Sequence, residues 1–304
     1  MTGRECELVA FAHRRPLIVL TNDDGVTSPG LAALKDALED VGDVQIVAPD
    51  QNRSGAARSV TMHAPLWVEE VVLPDGSLAY STDGTPVDCV RMAALGLLDR
   101  TPDLILSGIN LGENLGDDIT YSGTVAAAFE GIMLDIPAIA MSAQDYHAGY
   151  DLTVPARFAR RLVELALQKG FPAQTLLNVN VPDRRWDDLA GVRLTTLGRR
   201  IYGDKVEHRG TSGNRRQYHI YNDELGFHHA PGTDFEALCE GYVSVTPLQF
   251  ELMSHEALDA LRPWEAALSG GDAAGHCDDA AGPCGDAPGD GAPRQAPTKE
   301  GGDL

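Results

Sequence analysis

The strongest constraint on the fold is an alternation of short β-branched runs with amphipathic windows of helical length. "LIVLT" ends at Thr21 and reads as a buried strand by its length and branching. "SPGLAALKDALEDVG" follows and predicts a helix: Ser28 suits the N-cap, Pro29 the first helical position, and Leu31, Leu34 and Leu38 line one face. Gly42 stops it. The pattern then repeats. "DVQIVAPD", "PDLILSGIN", "IPAIAMS" and "QTLLNVNVP" read as strands. "TPVDCVRMAALGLL", "SGTVAAAFEGIML" and "VPARFARRLVELALQKG" read as helices, the last closed by Gly170. Strands joined through helices need right-handed crossovers, so the sequence predicts an α/β fold with a mostly parallel sheet and helices on both faces. Ligands in such folds sit outside the carboxyl ends of the strands.

The texture changes at about Gly191. The stretch from Val192 to Tyr221 alternates polar and apolar residues between glycines and charges, which predicts hairpins projecting from the main sheet. "GYVSVTPLQFEL" is a late strand. After Ser269 the chain becomes Gly, Ala, Pro and Asp with almost no large apolar residue, so a disordered acidic tail is expected over 269–304. His276, Cys277 and Cys284 lie in that tail, as a weak metal site or as incidental residues. The division expected is an N-terminal extension over 1–15, a catalytic core over 16–190, and a hairpin and oligomerisation region over 191–268.

A formal charge of -21 argues against binding to nucleic acid or to an anionic membrane, which needs clustered Lys and Arg. No run approaches the roughly 18 apolar residues of a membrane helix, and "MTGRECELVAFAHRR" lacks the apolar core of a signal peptide. The five cysteines are odd in number and scattered, which suits reduced thiols and a cytoplasmic location.

Four loops at strand ends carry the chemistry. "TNDDG" supplies Asp23 and Asp24; two carboxylates with neutral oxygens such as Asn22, Ser54 and Asn110 suit a hard cation, Mg²⁺ or Mn²⁺. The alternative is a cap for the next helix, which Ser28 and Pro29 weaken by already supplying its start. "APDQNRSG" supplies Ser54 and Arg53, the latter a phosphate holder or a surface partner for Asp50. "SGINLGENLGDD" brings glycines that permit close ligand approach or simply turn the chain. "YSGT" puts Ser122, Gly123 and Thr124 at a helix N-terminus, as an anion site or as ordinary capping. No GKS or GKT follows a glycine loop, and no GxGxxG follows the first strand. A metal, an Arg and a helix start on one sheet edge point to phosphoester hydrolysis, with Asp23 or Asp24 as general base.

"TNDDGVTSPG", "VAPDQNRSGAARS", "STDGTPVDCV", "LSGINLGENLGDDITYSGTVAAAFEG" and "GTDFEALCEGYVSVTPL" resemble the SurE family of metal-dependent 5'/3'-nucleotidases, over about residues 16 to 262. The resemblance implies a Rossmann-like core, a projecting β-hairpin and a C-terminal element exchanged between subunits of a homodimer or homotetramer. It implies one divalent cation per subunit held by Asp23, Asp24, Ser54 and Asn110, and a phosphate held by Ser122, Gly123 and Thr124 with Asn110 and Arg53 nearby. Hydrolysis of nucleoside 5'- and 3'-monophosphates is expected, and of short polyphosphate. Gln51 stands where many members have Arg, which removes one positive charge near the phosphate. Two other readings stay open. An aspartyl-phosphate route usually needs two Asp residues spaced by one, and these are adjacent. A non-catalytic nucleotide or metal sensor would bind without turnover.

Overall fold

The computed structural model describes residues 7–144, 150–222 and 226–269. The tail expected to be disordered, with His276, Cys277 and Cys284, lies outside the described residues, as does Cys6. The chain separates into two units, Met1–Glu251 and Leu252–Leu304.

The first unit is built on a nine-stranded sheet. Its strands in chain order are β1 (Leu17–Thr21), β2 (Asp43–Pro49), β3 (Val68–Val72), β4 (Leu78–Thr82), β5 (Leu104–Leu111), β6 (Ala138–Ala143), β7 (Leu176–Val181), β8 (Gly191–Leu194) and β11 (Tyr242–Leu248). They lie side by side as β8-β11-β7-β6-β5-β1-β2-β4-β3. The middle of the sheet is parallel; β3 against β4 and β11 against β7 are antiparallel. The helices of this unit are α1 (Pro29–Leu38), α2 (Pro86–Met92), α3 (Gly123–Met133), α4 (Thr153–Lys169) and α5 (Asp234–Cys239).

Successive strand residues face opposite sides, and β1 shows what each face meets. Ile18 and Leu20 join Leu31, Leu34 and Leu38 of α1 and Phe158 and Val163 of α4 in one core. Val19 joins Val90 of α2 and Val125, Ala128 and Ile132 of α3 in the other. Covered on both sides, the central strands read as continuous apolar runs rather than alternating ones. At Gly30 a Cβ would stand 2.2 Å from the Ile109 carbonyl, so only glycine lets α1 lie this close to β5.

The chain leaves β1 for β2 on one side and later returns to lay β5 on the other. The carboxyl ends of β1 and β5 therefore flank a topological switch point, where α/β sheets open a crevice.

The structure differs from the sequence reading in three places. The strands β3 and β4 were not anticipated; their acidic and Gly/Pro-interrupted sequence carries little periodicity. The segment Gly191–Leu194, expected in a projecting hairpin, is instead an edge strand pairing in parallel with β11. Alternation marks a half-buried strand but does not say which neighbour it takes. The helix expected through Leu98 ends at Met92 and passes into one π turn over Ala93–Leu97, where Gly96 has φ +150°.

A two-stranded hairpin does form from β9 (Asp204–Ser212) and β10 (Arg215–Asn222), with a register shift between His208 and Gly210. Val206, Tyr218 and Ile220 on it are exposed. In the second unit, helix α6 (His255–Ser269) contains Pro263, and Leu258, Leu261, Trp264 and Leu268 recur along it, all exposed. Among the described residues no helix is long and apolar enough to cross a membrane, and Cys89 and Cys239 are free thiols.

Candidate active site

The end of β1 turns because Asn22 closes it. The buried Asn22 amide donates to the Gly25 carbonyl at 3.2 Å and to Ser28 Oγ at 2.6 Å, and its Oδ1 accepts from the Gly25 N–H at 3.1 Å. Gly25 completes the turn at φ +110°, a conformation that a side chain would strain. Asn22 is thus used up in shaping the loop and leaves the group of neutral oxygens considered for a cation. Ser28 caps α1 by accepting from the Leu31 N–H at 3.3 Å. Asp23 and Asp24 are left over from capping, on the inside of the bend.

Asp23 is 4% exposed. Its Oδ1 accepts from the Thr124 hydroxyl at 2.6 Å, and the Gly123 N–H donates to the same carboxylate. Its carbonyl accepts from the Arg53 N–H at 2.6 Å, which ties the loop after β2 to the loop after β1. Burial pushes the Asp23 carboxyl above its ordinary range, and the hydrogen bonds from Thr124 and Gly123 pull it back only in part. Asp24 is half-buried. Its Oδ1 accepts from Asn52 Nδ2 at 3.3 Å, while its Oδ2 is buried with no hydrogen-bond partner among the described residues. Burial, and after it the charge of Asp23, push Asp24 up to about 6, against the opposing pull of the Leu111 backbone N–H.

The other expected residues stand as follows. Asn110 is half-buried near the end of β5, and its Nδ2 donates to the Gly112 carbonyl at 2.8 Å, which leaves its Oδ1 lone pairs for a cation. Ser54 is exposed on the loop after β2, and its N–H donates to Asn52 Oδ1 at 2.8 Å. Ser122 caps α3 by accepting from the Val125 N–H at 3.1 Å. So of the Ser122–Gly123–Thr124 stretch, Ser122 holds the helix start while Gly123 and Thr124 meet Asp23. Arg53 pairs with Asp50 at 3.0 Å and donates to the Asp83 carbonyl at 2.8 Å; the surface pairing with Asp50 is the one present.

Several supporting residues escaped the sequence reading. Asp88, in a capping box with Thr85, accepts from the Thr61 N–H at 2.9 Å and its hydroxyl at 2.7 Å. Glu130, 5% exposed, pairs with Arg58 at 3.3 Å and Arg91 at 2.6 Å. Both pin the loop that carries Ser54. Under the glycine loop after β5, Asn114 is held by Asn178, Asn180 and Ser142. Asp234, wholly buried, accepts from the Gly116, Gly198 and Phe235 N–H groups at 2.8, 2.8 and 3.0 Å. Thr85 and Asp88 have capping-box spacing, which is a local signal; the other partners, such as Thr61 for Asp88, Arg58 for Glu130 and Gly116 for Asp234, are far away in sequence.

The donor atoms fit a hard cation. Among the described residues no three His, Cys, Asp or Glu side chains gather as a metal cage, so a soft or imidazole-rich centre is absent there. Two carboxylates with neutral oxygens beside them are the chemistry Mg²⁺ and Mn²⁺ accept. The orphaned Asp24 Oδ2, buried where a partner is normally present, is what a missing positive ligand leaves behind.

The family described as survival protein SurE matches residues 18–204. A 5'-nucleotidase SurE of Rubrobacter xylanophilus is 48% identical over 257 residues, covering 82% of this chain and 97% of that protein. One from Chloroflexus aggregans is 48% identical over 249 residues, covering 82% and 98%. The crystal structure of the SurE protein from Aquifex aeolicus superposes with a TM-score of 0.73 at 40% identity, covering 82% of this chain and all (100%) of that one. On its sequence, its parallel sheet and the Asp pair at its switch point, this chain belongs to the SurE family.

Proposed function

We propose that the chain is a phosphomonoesterase that hydrolyses nucleoside monophosphates, with Asp23, Asp24, Ser54 and Asn110 as ligands for one divalent cation. The observation that carries this reading is the buried, unpartnered Asp24 Oδ2 beside Asp23, under the N-terminus of α3. The names of the relatives support the 5'-monophosphate as substrate. The 3'-monophosphate and short polyphosphate share the same phosphoryl chemistry and belong to the proposal, as does Mg²⁺ or Mn²⁺ as the cation. When bound, the cation supplies charge neutralisation on the phosphoryl oxygens and acidifies water.

The residues do the rest. Thr124 and the Gly123 N–H fix the Asp23 carboxylate, so it needs no reorganisation during reaction. Whichever of Asp23 and Asp24 keeps a carboxylate oxygen not engaged by the cation would accept a proton from the attacking water. The positive end of α3 draws the phosphate to the crevice. Arg53 lies one residue before Ser54 and reaches the phosphate by exchanging its Asp50 pairing.

On this reading the core over 16–190 carries the chemistry, and the region over 191–268 assembles a homodimer or homotetramer. The exposed apolar residues of α6 and the two-stranded hairpin support such assembly. The reduced thiols Cys89 and Cys239 support a cytoplasmic setting.

The test is phosphate release from AMP and GMP with Mg²⁺ or Mn²⁺, in the wild type and in Asp23→Asn. Loss of turnover and of cation binding with an unchanged fold is expected. Full activity in Asp23→Asn or in excess EDTA refutes the proposal. Nucleotide binding without turnover in the wild type favours a sensor.

A further inference from the structure

The phosphate-binding helix start has an aromatic rim that the reaction chemistry does not use. Tyr121 immediately precedes Ser122, the N-cap of α3. Ser122, Gly123 and Thr124 are buried, whereas Tyr121 is 65% exposed. Consecutive Cα atoms are about 3.8 Å apart, so Tyr121 lies two residues along the backbone from Gly123, the nearest of the groups that meet Asp23. No hydrogen bond holds its hydroxyl among the described residues.

A second tyrosine is fastened to the same turn. Residues Gly116–Thr120 form the short 3₁₀ segment leading to Tyr121, whose N–H donates to the Asp118 carbonyl at 2.9 Å. The Asp118 carboxylate accepts from the Tyr202 hydroxyl at 2.5 Å and pairs with Arg200. Asp234 clamps the start of the segment through Gly116 and holds Gly198 on the strand side. Tyr202, 40% exposed as a residue, is thereby fixed against the turn that presents Tyr121.

The chemistry of this rim selects the occupant. Asp117 is exposed beside it, which disfavours a second phosphate and tolerates a neutral ring. Aromatic faces stack with every base, because every base has a π-face. Trp67 is also exposed on the carboxyl edge, but it enters β3, three strands from β1. At about 4.8 Å per strand that is roughly 14 Å away, beyond the span of one ribose.

We infer that Tyr121, with Tyr202 beside it, is the platform on which the base of a nucleoside monophosphate stacks. The inference rests on the nucleotidase reading and adds the recognition of the base to it. It implies tolerance of purines and pyrimidines, because stacking without edge-on hydrogen bonds does not discriminate strongly.

The experiment compares AMP with ribose 5-phosphate, which keeps the phosphate and sugar and lacks the base. In Tyr121→Ala the ratio of kcat/KM for AMP to that for ribose 5-phosphate should fall at least about fivefold, the low end for losing one base–aromatic stack. The loss should sit in KM, and Tyr121→Phe should restore the ratio. An unchanged ratio in Tyr121→Ala overturns the inference. If the wild type turns over neither compound, the nucleotidase reading fails. Calorimetric binding of AMP then decides the platform separately: at least fivefold weaker binding by Tyr121→Ala supports it, and equal binding or none by the wild type overturns it.

Discussion

Gly123 offers the sharpest test of the site geometry. A Cβ placed there would stand 2.8 Å from Asp23 Cβ, 2.9 Å from its Oδ2 and 3.1 Å from its Cγ. Carbon atoms in contact prefer about 3.5–4.0 Å, so Gly123→Ala must separate the two residues by roughly 0.7–1.2 Å. Asp23 cannot yield by swinging outward, because it is buried and tied to the Thr124 hydroxyl. The displacement therefore reaches the carboxylate itself. A misplacement of about 1 Å in a catalytic group is worth on the order of 100-fold in rate, or about 2.7 kcal/mol of barrier. The helix should not suffer: Gly123 is the first residue of α3 and carries no positive φ, and alanine is the better helix former. Phosphate release from AMP and a thermal melt should thus separate, with activity falling about 100-fold and Tm nearly constant. A variant that keeps kcat/KM within about threefold of wild type refutes the claim that Gly123 is glycine to seat Asp23.

Two further outcomes follow from the carboxylates. Without a cation, burial raises Asp23, and Asp24 moves from its ordinary 3.8 to about 6. The folded chain then holds protons that the unfolded chain has released, so this pair's stability contribution falls as pH rises from about 4 to about 6. Thermal melts in EDTA should show that decline in the wild type and lose most of it in Asp24→Asn. Adding Mg²⁺ should restore stability at neutral pH, because the cation binds the deprotonated pair; matching pH slopes in the two proteins would refute the assignment. Asp234→Asn replaces one acceptor oxygen with a donor facing backbone N–H groups, which should lower unfolding free energy by roughly 1–3 kcal/mol in urea titrations. Its AMP turnover should fall as well, since Gly116 anchors the turn before α3; unchanged stability would show that the three N–H bonds are dispensable.

The parts legible in the sequence are those with a local cause. The parallel core follows from apolar runs separated by helical windows, and the cap of α1 follows from Ser28 and Pro29 alone. The bend at Asp23 and Asp24 was foreseeable because Gly25 follows them. Distant partners set the rest. Nothing near Asp234 says that it will collect N–H groups from Gly116 and Gly198, and nothing near Glu130 names Arg58. Gly191–Leu194 carries the alternation of a strand, yet its partner is chosen by the sheet edge that β11 leaves open. Arg53 shows both cases: its pairing with Asp50, three residues away, is legible in the sequence, whereas its bond to the Asp83 carbonyl depends on a residue that arrives from the end of β4.

The two adjacent carboxylates also state a charge requirement. Among the described residues no Lys or Arg side chain reaches Asp23 or Asp24, because Arg53 turns to Asp50 and the Asp83 carbonyl. The compensation present is the N-terminus of α3, worth about half a positive charge, against two carboxylates. That leaves a deficit of about 1.5 charges in a half-buried crevice, on top of the burial that raises both carboxyls. A monovalent cation would leave the crevice negative and closed to phosphate. A divalent cation turns it slightly positive, which a phosphate ester requires in a chain of net charge -21. Substrate binding should therefore depend on the divalent ion, and AMP should bind the EDTA-treated protein at least tenfold more weakly in calorimetry; equal affinity with and without the ion would show that the phosphate is held by the helix alone.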